Sequence, residues 1–223
     1  MAIVAEGQRG RAYLSPDEKQ ATIAVQTMPL GVPETDLPEQ ALGFRVQLYG
    51  MTKHRDLFTL RQLVALTTFN DLVLETREKV LTDARGAGLL ADNISLNDGG
   101  TRANVYADAV VTYLACAVDR SADFWSTLAT WSPQPKNELV AHTFTRQALP
   151  MTWDFAEANP FSRSGGNFEG NLAFIIKVIQ ASTTNFPGKA DQVDATTLSS
   201  SRVIRPLIST DPPYYDNIGY AVM

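Results

Sequence analysis

The stretch TLRQLVALTTFNDLVLETREKVLTDARGAG, residues 59–88, decides the fold class because it carries the signals of a long amphipathic helix. Thr59 and Gln62 form a capping-box pattern, in which two side chains satisfy backbone N–H groups that a helix start leaves free. Gly86 and Gly88 end the helix as a C-cap, whereas a nucleotide-binding glycine loop would follow a strand and open a helix. Apolar residues at helical spacing predict a stripe facing a core: Leu60, Leu63, Val64, Leu72, Val80 and Leu81.

Helical patterns also lie on both sides of this stretch. Ser15-Pro16-Asp17-Glu18 predicts a helix start in which the Ser15 hydroxyl caps the helix and Glu18 closes a capping box. Towards the C-terminus we expect a helix over residues 102–118 that continues to Trp131, another over residues 137–148, and one that Asn167 caps.

Strand signals are short and isolated. Residues 7–14 are expected to be extended, and the alternation over residues 44–48 predicts a half-buried strand. The proline-containing residues 29–40 indicate a linker or surface loop, and Val193 and Leu207-Ile208 are further strand candidates. We therefore predict a mainly α fold with a small β component, of the α+β class.

Composition and charge exclude several classes of function. One cysteine, Cys116, rules out an internal disulfide, and with two histidines we expect no metal site. A net charge of −5 argues against a general nucleic-acid coat protein. A local basic patch from Lys53-His54-Arg55 with Arg61, or from Arg202 with Arg205, stays open beside the alternative of solvated surface.

No membrane or export segment is visible in the sequence. The longest apolar run, residues 109–118, is too short to cross a bilayer. The first six residues lack the basic region and apolar core of a secretory signal. We therefore predict a cytoplasmic location and no membrane partner.

The chemistry-bearing segment is Leu207-Ile208-Ser209-Thr210-Asp211-Pro212-Pro213-Tyr214. A short apolar run meets two prolines that cannot continue a strand ladder and that offer no N–H to compete for nearby carbonyls. A carboxylate and an aromatic ring lie beside these carbonyls in the sequence. Paired acceptors next to a flat ring suit the exocyclic amino group of a planar base.

Methyl transfer to such an amine depends on orientation more than on acid–base power. Two acceptors that hold both amine hydrogens favour the pyramidal geometry of the transition state and aim the lone pair. An aromatic face stabilises the sulfonium methyl donor, and the base must leave the duplex to reach it.

Asp211-Pro212-Pro213-Tyr214 resembles the (D/N/S)-P-P-(Y/F/W) motif of methyltransferases that act on adenine N6 or cytosine N4. The extension through Tyr215-Asp216-Asn217-Ile218-Gly219-Tyr220 is similar to the large adenine-specific DNA methylases that carry a zinc ribbon. The similarity includes Tyr49-Gly50-Met51-Thr52 and residues 56–59 and 146–161, and so covers most of the chain.

The resemblance implies roles for individual residues. The catalytic set is Asp211, Pro212, Pro213 and Tyr214: Asp211 and the Pro212 carbonyl would receive the target amine, and Tyr214 would stack on the base. Tyr215, Asp216 and Asn217 would line the same substrate-binding rim. Asp194 would contact the adenine of the cofactor S-adenosylmethionine, or else be a surface-turn aspartate. The implied partner is double-stranded DNA, bound through a parent protein, with adenine favoured and cytosine still open.

The segment 146–161 admits two interpretations. Trp153, Asp154 and Asn159, with Glu157 nearby, line a substrate cleft in one of them. In the other, the segment is a helix-to-loop junction whose polar groups satisfy one another. Trp125 and Trp131 are interpreted as core residues, and His142 as a surface or satisfied residue on a helix.

Two family features are missing from the sequence: a glycine-rich cofactor loop after a strand, and the zinc-ribbon cysteines. We therefore expect residues 1–164 to form a helical insertion or target-recognition module and residues 165–223 a partial Rossmann-like methyltransferase segment. Such a portion of an enzyme would bind S-adenosylmethionine weakly or not at all.

The alternatives to part of a methyltransferase are a helical DNA- or protein-interaction module without activity, and a scaffold in which the motif is coincidental. Unpaired strand edges and exposed apolar surface also lead us to expect self-association of the isolated chain.

Overall fold

The structure is a computed structural model that describes residues 2–8, 10–39, 41, 43–96, 98–134, 138–145, 148–182, 194, 207 and 209–211. These residues contain four α-helices and two two-stranded antiparallel sheets, so the chain is an α+β protein, as predicted. In chain order the elements are β1 (Ile3–Gly7), β2 (Gly10–Leu14), α1 (Glu18–Gln26), α2 (Leu60–Gly86), α3 (Ala103–Ala122), β3 (Trp131–Ser132), β4 (Leu139–Val140) and α4 (Phe168–Ala181).

Helix α2 begins and ends where its local sequence predicts. The Thr59 hydroxyl accepts from the Gln62 N–H, and the Gln62 side chain accepts from the Thr59 N–H at 2.8 Å, which completes the capping box. At the other end the Ala87 N–H donates to the Asp83 carbonyl, and Gly88 adopts a φ of 93° that favours glycine. The C-cap interpretation of these glycines is confirmed.

Helices α2 and α3 pack through small buried side chains. Leu81 and Ala84 of α2 contact Ala103 and Ala107 of α3 in one cluster. The alanines let the two backbones approach closely. On the rim of this interface the Arg77 Nε donates to Asp108 at 2.8 Å, and this hydrogen bond raises the pKa of Arg77 above its usual value.

Helix α4 joins the same body through the aromatic residue Trp125. The Asn167 side chain caps α4, as predicted, by accepting from the Gly170 N–H. Trp125 is 1% exposed, as its interpretation as a core residue predicts, and its Nε1 donates to the Gly166 carbonyl at 2.6 Å. The Asn171 side chain donates to Ser121 at the end of α3. These contacts cross the predicted boundary between residues 164 and 165, which stays a prediction.

The 44–48 strand prediction is wrong. Val46–Tyr49 forms a 3-10 helix, and a second one covers His54–Leu57. Phe44 makes only a single bridge, to Leu149, before the chain turns at Gly50 with a φ of 90°. Of the three apolar positions only Val46 is fully buried, in a core cluster with Leu37, Leu57, Leu128 and Leu149, whereas Leu48 is 78% exposed.

The predictions of helix up to Trp131 and over residues 137–148 are also wrong. Helix α3 ends at Ala122, and β3 and β4 pair antiparallel through Trp131 opposite Val140. The cause is Asp123, whose carbonyl accepts from the Thr143 N–H and whose carboxylate accepts from the Phe144 N–H. These long-range bonds outweigh the local helical preference. Trp131 is half-buried, and its Nε1 donates to the Tyr13 hydroxyl at 3.2 Å.

The N-terminal part consists of the β1–β2 hairpin and α1. Residues 7–14, which were expected to be extended, span the end of β1 and β2 of this hairpin, in which Ile3 pairs with Leu14. The cap prediction for α1 is wrong in its residues: Asp17 is the N-cap and Gln20 closes the box, because α1 begins one residue after Asp17. No side chain of α1 is buried, although Ile23 and Val25 are apolar.

Gly166 provides a stability prediction. A Cβ at this position would lie 3.1 Å from the Phe124 Cβ and 3.2 Å from the Ala158 Cβ, and the φ of 84° disfavours any L side chain. We expect Gly166→Ala to lower the free energy of unfolding in urea by about 2–3 kcal/mol. Gly165→Ala is the matched control, since its Cβ would meet nothing within 4 Å. Equal stabilities of the two variants would contradict the close packing described here.

Candidate functional site

Asp211 is the one member of the predicted catalytic set within the described residues, and it is exposed to solvent. Ser209 and Thr210 beside it are exposed as well, and Leu207 is 98% exposed. The other motif residues, namely Pro212, Pro213, Tyr214, Tyr215, Asp216 and Asn217, lie outside the described part of the chain, as do Val193 and Ile208. The geometry of the amine-binding pair therefore stays a prediction.

Asp194, the predicted cofactor contact, is described and exposed. Its neighbours along the chain on both sides lie outside the described residues. Its two interpretations, as a cofactor ligand or a surface-turn aspartate, both stay predictions.

The segment from Ala148 onward presents its predicted substrate residues towards solvent. Trp153 is 71% exposed, and its ring lies edge-on to the ring of Tyr49 at a centroid distance of 5.1 Å and an angle of 85°. Asp154 is exposed next to it. The Asn159 side chain accepts from the Phe161 N–H at 2.9 Å in a local turn. The structure thus joins Trp153 to a ring that the sequence had not singled out as a site residue.

Glu157 attaches this segment to the start of α2. Its carboxylate accepts from the Thr59 hydroxyl at 2.7 Å and from the Arg61 guanidinium at 2.5 Å. Ala158, one residue further, is buried against Phe124 and Trp125. In this half of the segment the polar group of Glu157 is paired, as expected of a junction, whereas Trp153 and Asp154 remain exposed to solvent.

The basic cluster around Lys53 is paired with carboxylates. Lys53 lies 3.1 Å from Asp36, Arg55 pairs with Glu34, and Arg61 pairs with Glu157. The cations are therefore largely compensated by acidic neighbours, which weakens the case for a phosphate-binding patch at this place. Arg202 and Arg205 lie outside the described residues.

His142 pairs with Asp123, so its interpretation as a satisfied surface residue is confirmed, although it does not lie on a helix. The His142 Nδ1 is 2.6 Å from the Asp123 carboxylate, and the imidazole ring lies 4.4 Å from the ring of Phe124. This pair ties the loop at His142 to Asp123, the C-cap residue of α3.

The described residues hold neither a metal-binding cluster nor a membrane-spanning helix. Among them there is no group of three or more His, Cys, Asp or Glu side chains able to hold a metal ion. None of the helices in the described part of the chain is both long and apolar enough to cross a membrane.

Comparison with known proteins gave no match: no family model, curated protein or solved structure resembles the chain at a significant level. The methylase resemblance therefore rests on the motif residues themselves.

The Glu157 contacts yield a second stability prediction. We expect Glu157→Gln to lower the free energy of unfolding by about 0.5–1 kcal/mol, because it removes the charge from a half-exposed cluster with Arg61 and Thr59. The measurement is urea unfolding at low and high salt, and the loss should shrink at high salt. Glu75→Gln on the exposed face of α2 is the control and should change little. A loss independent of salt would contradict an electrostatic origin.

Proposed function

We propose that this chain is part of an S-adenosylmethionine-dependent DNA adenine N6-methyltransferase, to which it contributes the amine-binding motif. The observation that carries the proposal is the motif Asp211-Pro212-Pro213-Tyr214 together with its extension to Tyr220. The solvent exposure of Asp211 supports it, because a carboxylate that receives a substrate amine must be accessible.

The reaction requires little of the chain beyond positioning. Asp211 and the Pro212 carbonyl would each accept one hydrogen of the adenine N6 amine, and Tyr214 would stack on the flipped base. The acceptors favour the pyramidal nitrogen of the transition state over the planar ground state, so they contribute to the rate and not only to binding. S-adenosylmethionine supplies the methyl group.

The remaining helices would serve as a recognition or interaction module of the same enzyme. This second candidate function, a helical interaction module without activity of its own, is favoured by exposed apolar side chains. Helix α1 exposes 57% of Ile23 and 80% of Val25, and α4 exposes 47% of Phe174 and 50% of Val178. Such surface suits a protein partner or another part of the enzyme.

Cofactor binding tests whether this chain contains the S-adenosylmethionine site. The sequence has no glycine-rich loop between a strand and a helix, so we expect no S-adenosylmethionine binding by this chain below about millimolar concentration. Isothermal titration calorimetry measures this directly. Micromolar affinity would show that the chain holds the whole cofactor site.

Methyl transfer tests the motif. The chain, supplemented with the polypeptide encoded directly upstream of it, should transfer tritiated methyl groups from S-adenosylmethionine to adenine N6 in unmethylated duplex DNA. Asp211→Ala should reduce the rate about 100-fold or more because one acceptor for the amine is lost. Asp211→Asn should retain more activity, since an amide oxygen still accepts.

The control for this assay is Asp71→Ala, which removes an exposed carboxylate from the middle of α2 and should leave the rate unchanged. Methyl transfer that is insensitive to Asp211→Ala would refute the catalytic assignment. Absence of transfer in the supplemented mixture would favour the interaction-module function.

A further inference from the structure

We propose that Tyr49 and Trp153, which are not part of the amine-binding motif, form a further DNA contact that stacks an unpaired nucleobase. The identity of the ligand as DNA rests on the proposed function. The contact itself rests on the geometry of two exposed rings that come from segments about a hundred residues apart in the chain.

The two rings form the walls of a corner that is open to solvent. Their centroids are 5.1 Å apart and their planes meet at 85°. Tyr49 is 53% exposed and Trp153 is 71% exposed, so each ring still offers surface to a ligand. A planar base stacked on the face of one ring would make an edge-to-face contact with the other ring, an arrangement that aromatic quadrupoles favour.

Both rings are held by a packed scaffold. Tyr49 closes the 3-10 helix that begins with fully buried Val46, and the Gly50 N–H closes this turn on the Gln47 carbonyl at 3.0 Å. The Arg45 N–H donates to the carbonyl of buried Leu149 at 2.9 Å, which joins the two ring-bearing segments. A site that is ordered before binding loses little conformational entropy when a ligand arrives.

An exposed cation lies beside the Tyr49 turn. Arg45 is exposed and pairs with no carboxylate of the described residues, in contrast to Lys53, Arg55 and Arg61. Arg45 directly precedes the turn that carries Tyr49. A guanidinium group beside a stacking surface is typical of single-stranded nucleic-acid contacts, where it meets the phosphates.

The chemistry of this surface differs from that of the exposed apolar side chains on α1. The exposed side chains on α1, Ile23 and Val25, are aliphatic and lie on an unpacked helix, which suits a protein surface. Tyr49 and Trp153 instead lie on two segments joined by a backbone hydrogen bond, and they present flat π faces on which any base can stack.

The test is fluorescence anisotropy of a labelled single-stranded oligodeoxyadenylate titrated with the full chain at low salt. We expect Trp153→Ala and Tyr49→Ala each to weaken binding about tenfold, while Trp153→Phe retains most of the affinity. An abasic oligonucleotide of the same length should bind about as weakly to the wild type as the adenylate binds to Trp153→Ala. Circular dichroism checks that the variants are folded.

Tyr106→Ala is the matched control, because this tyrosine is 52% exposed on α3, away from both ring-bearing segments in sequence. It should bind the oligonucleotide like the wild type. Equal binding of the abasic and adenylate strands, equal effects of Tyr106→Ala and Trp153→Ala, or no binding at all would each overturn the stacking site. The methyl-transfer assay is scored separately, so a catalytic failure with intact stacking would refute only the proposed function.

Discussion

The hydrogen bond from the Trp125 indole to the Gly166 carbonyl is the interaction on which the rest of the described structure depends. It lies where the end of α3, the start of α4 and the middle of α2 meet, since the Phe69 ring of α2 lies 5.5 Å from Trp125 and 4.3 Å from Phe168. The bond satisfies the one polar atom of a large buried side chain, which burial would otherwise penalise. Because Gly166 packs closely against Phe124 and Ala158, only one backbone conformation leads into α4.

The segment that carries Trp153 is anchored in two different core clusters. Leu149 is fixed in the cluster around Val46, and Ala158 is fixed in the cluster around Trp125. The eight residues between them, 150–157, therefore run from one cluster to the other, with Glu157 attached to the start of α2. A segment held at both ends can keep large side chains in solvent without losing its shape. This is how Trp153 remains accessible while its backbone stays ordered.

Features encoded within a few residues could be predicted from the sequence, and features that depend on distant partners could not. The caps at Thr59 and Asn167 are local hydrogen-bond patterns, and burial of Trp125 followed from its apolar surroundings. The 44–48 and 137–148 predictions failed because Val46 packs against distant Leu149 and Asp123 bonds to Phe144, partners that local periodicity does not contain. The Tyr49–Trp153 pair was missed for the same reason. Both residues lie in the stretches, residues 49–52 and 146–161, from which the methylase resemblance is inferred, and that shared membership was the only available signal.

The three tryptophans occupy three different environments, and this gives the protein built-in optical reporters. Trp125 is enclosed, Trp131 is half-covered and bonded to Tyr13 of the N-terminal hairpin, and Trp153 is open to water. The emission of buried Trp125 should be blue-shifted relative to that of exposed Trp153. A soluble quencher such as acrylamide should quench Trp153 first. Intrinsic emission can thus separate melting of the helical body, detachment of the hairpin and occupancy of the loop surface without any added dye.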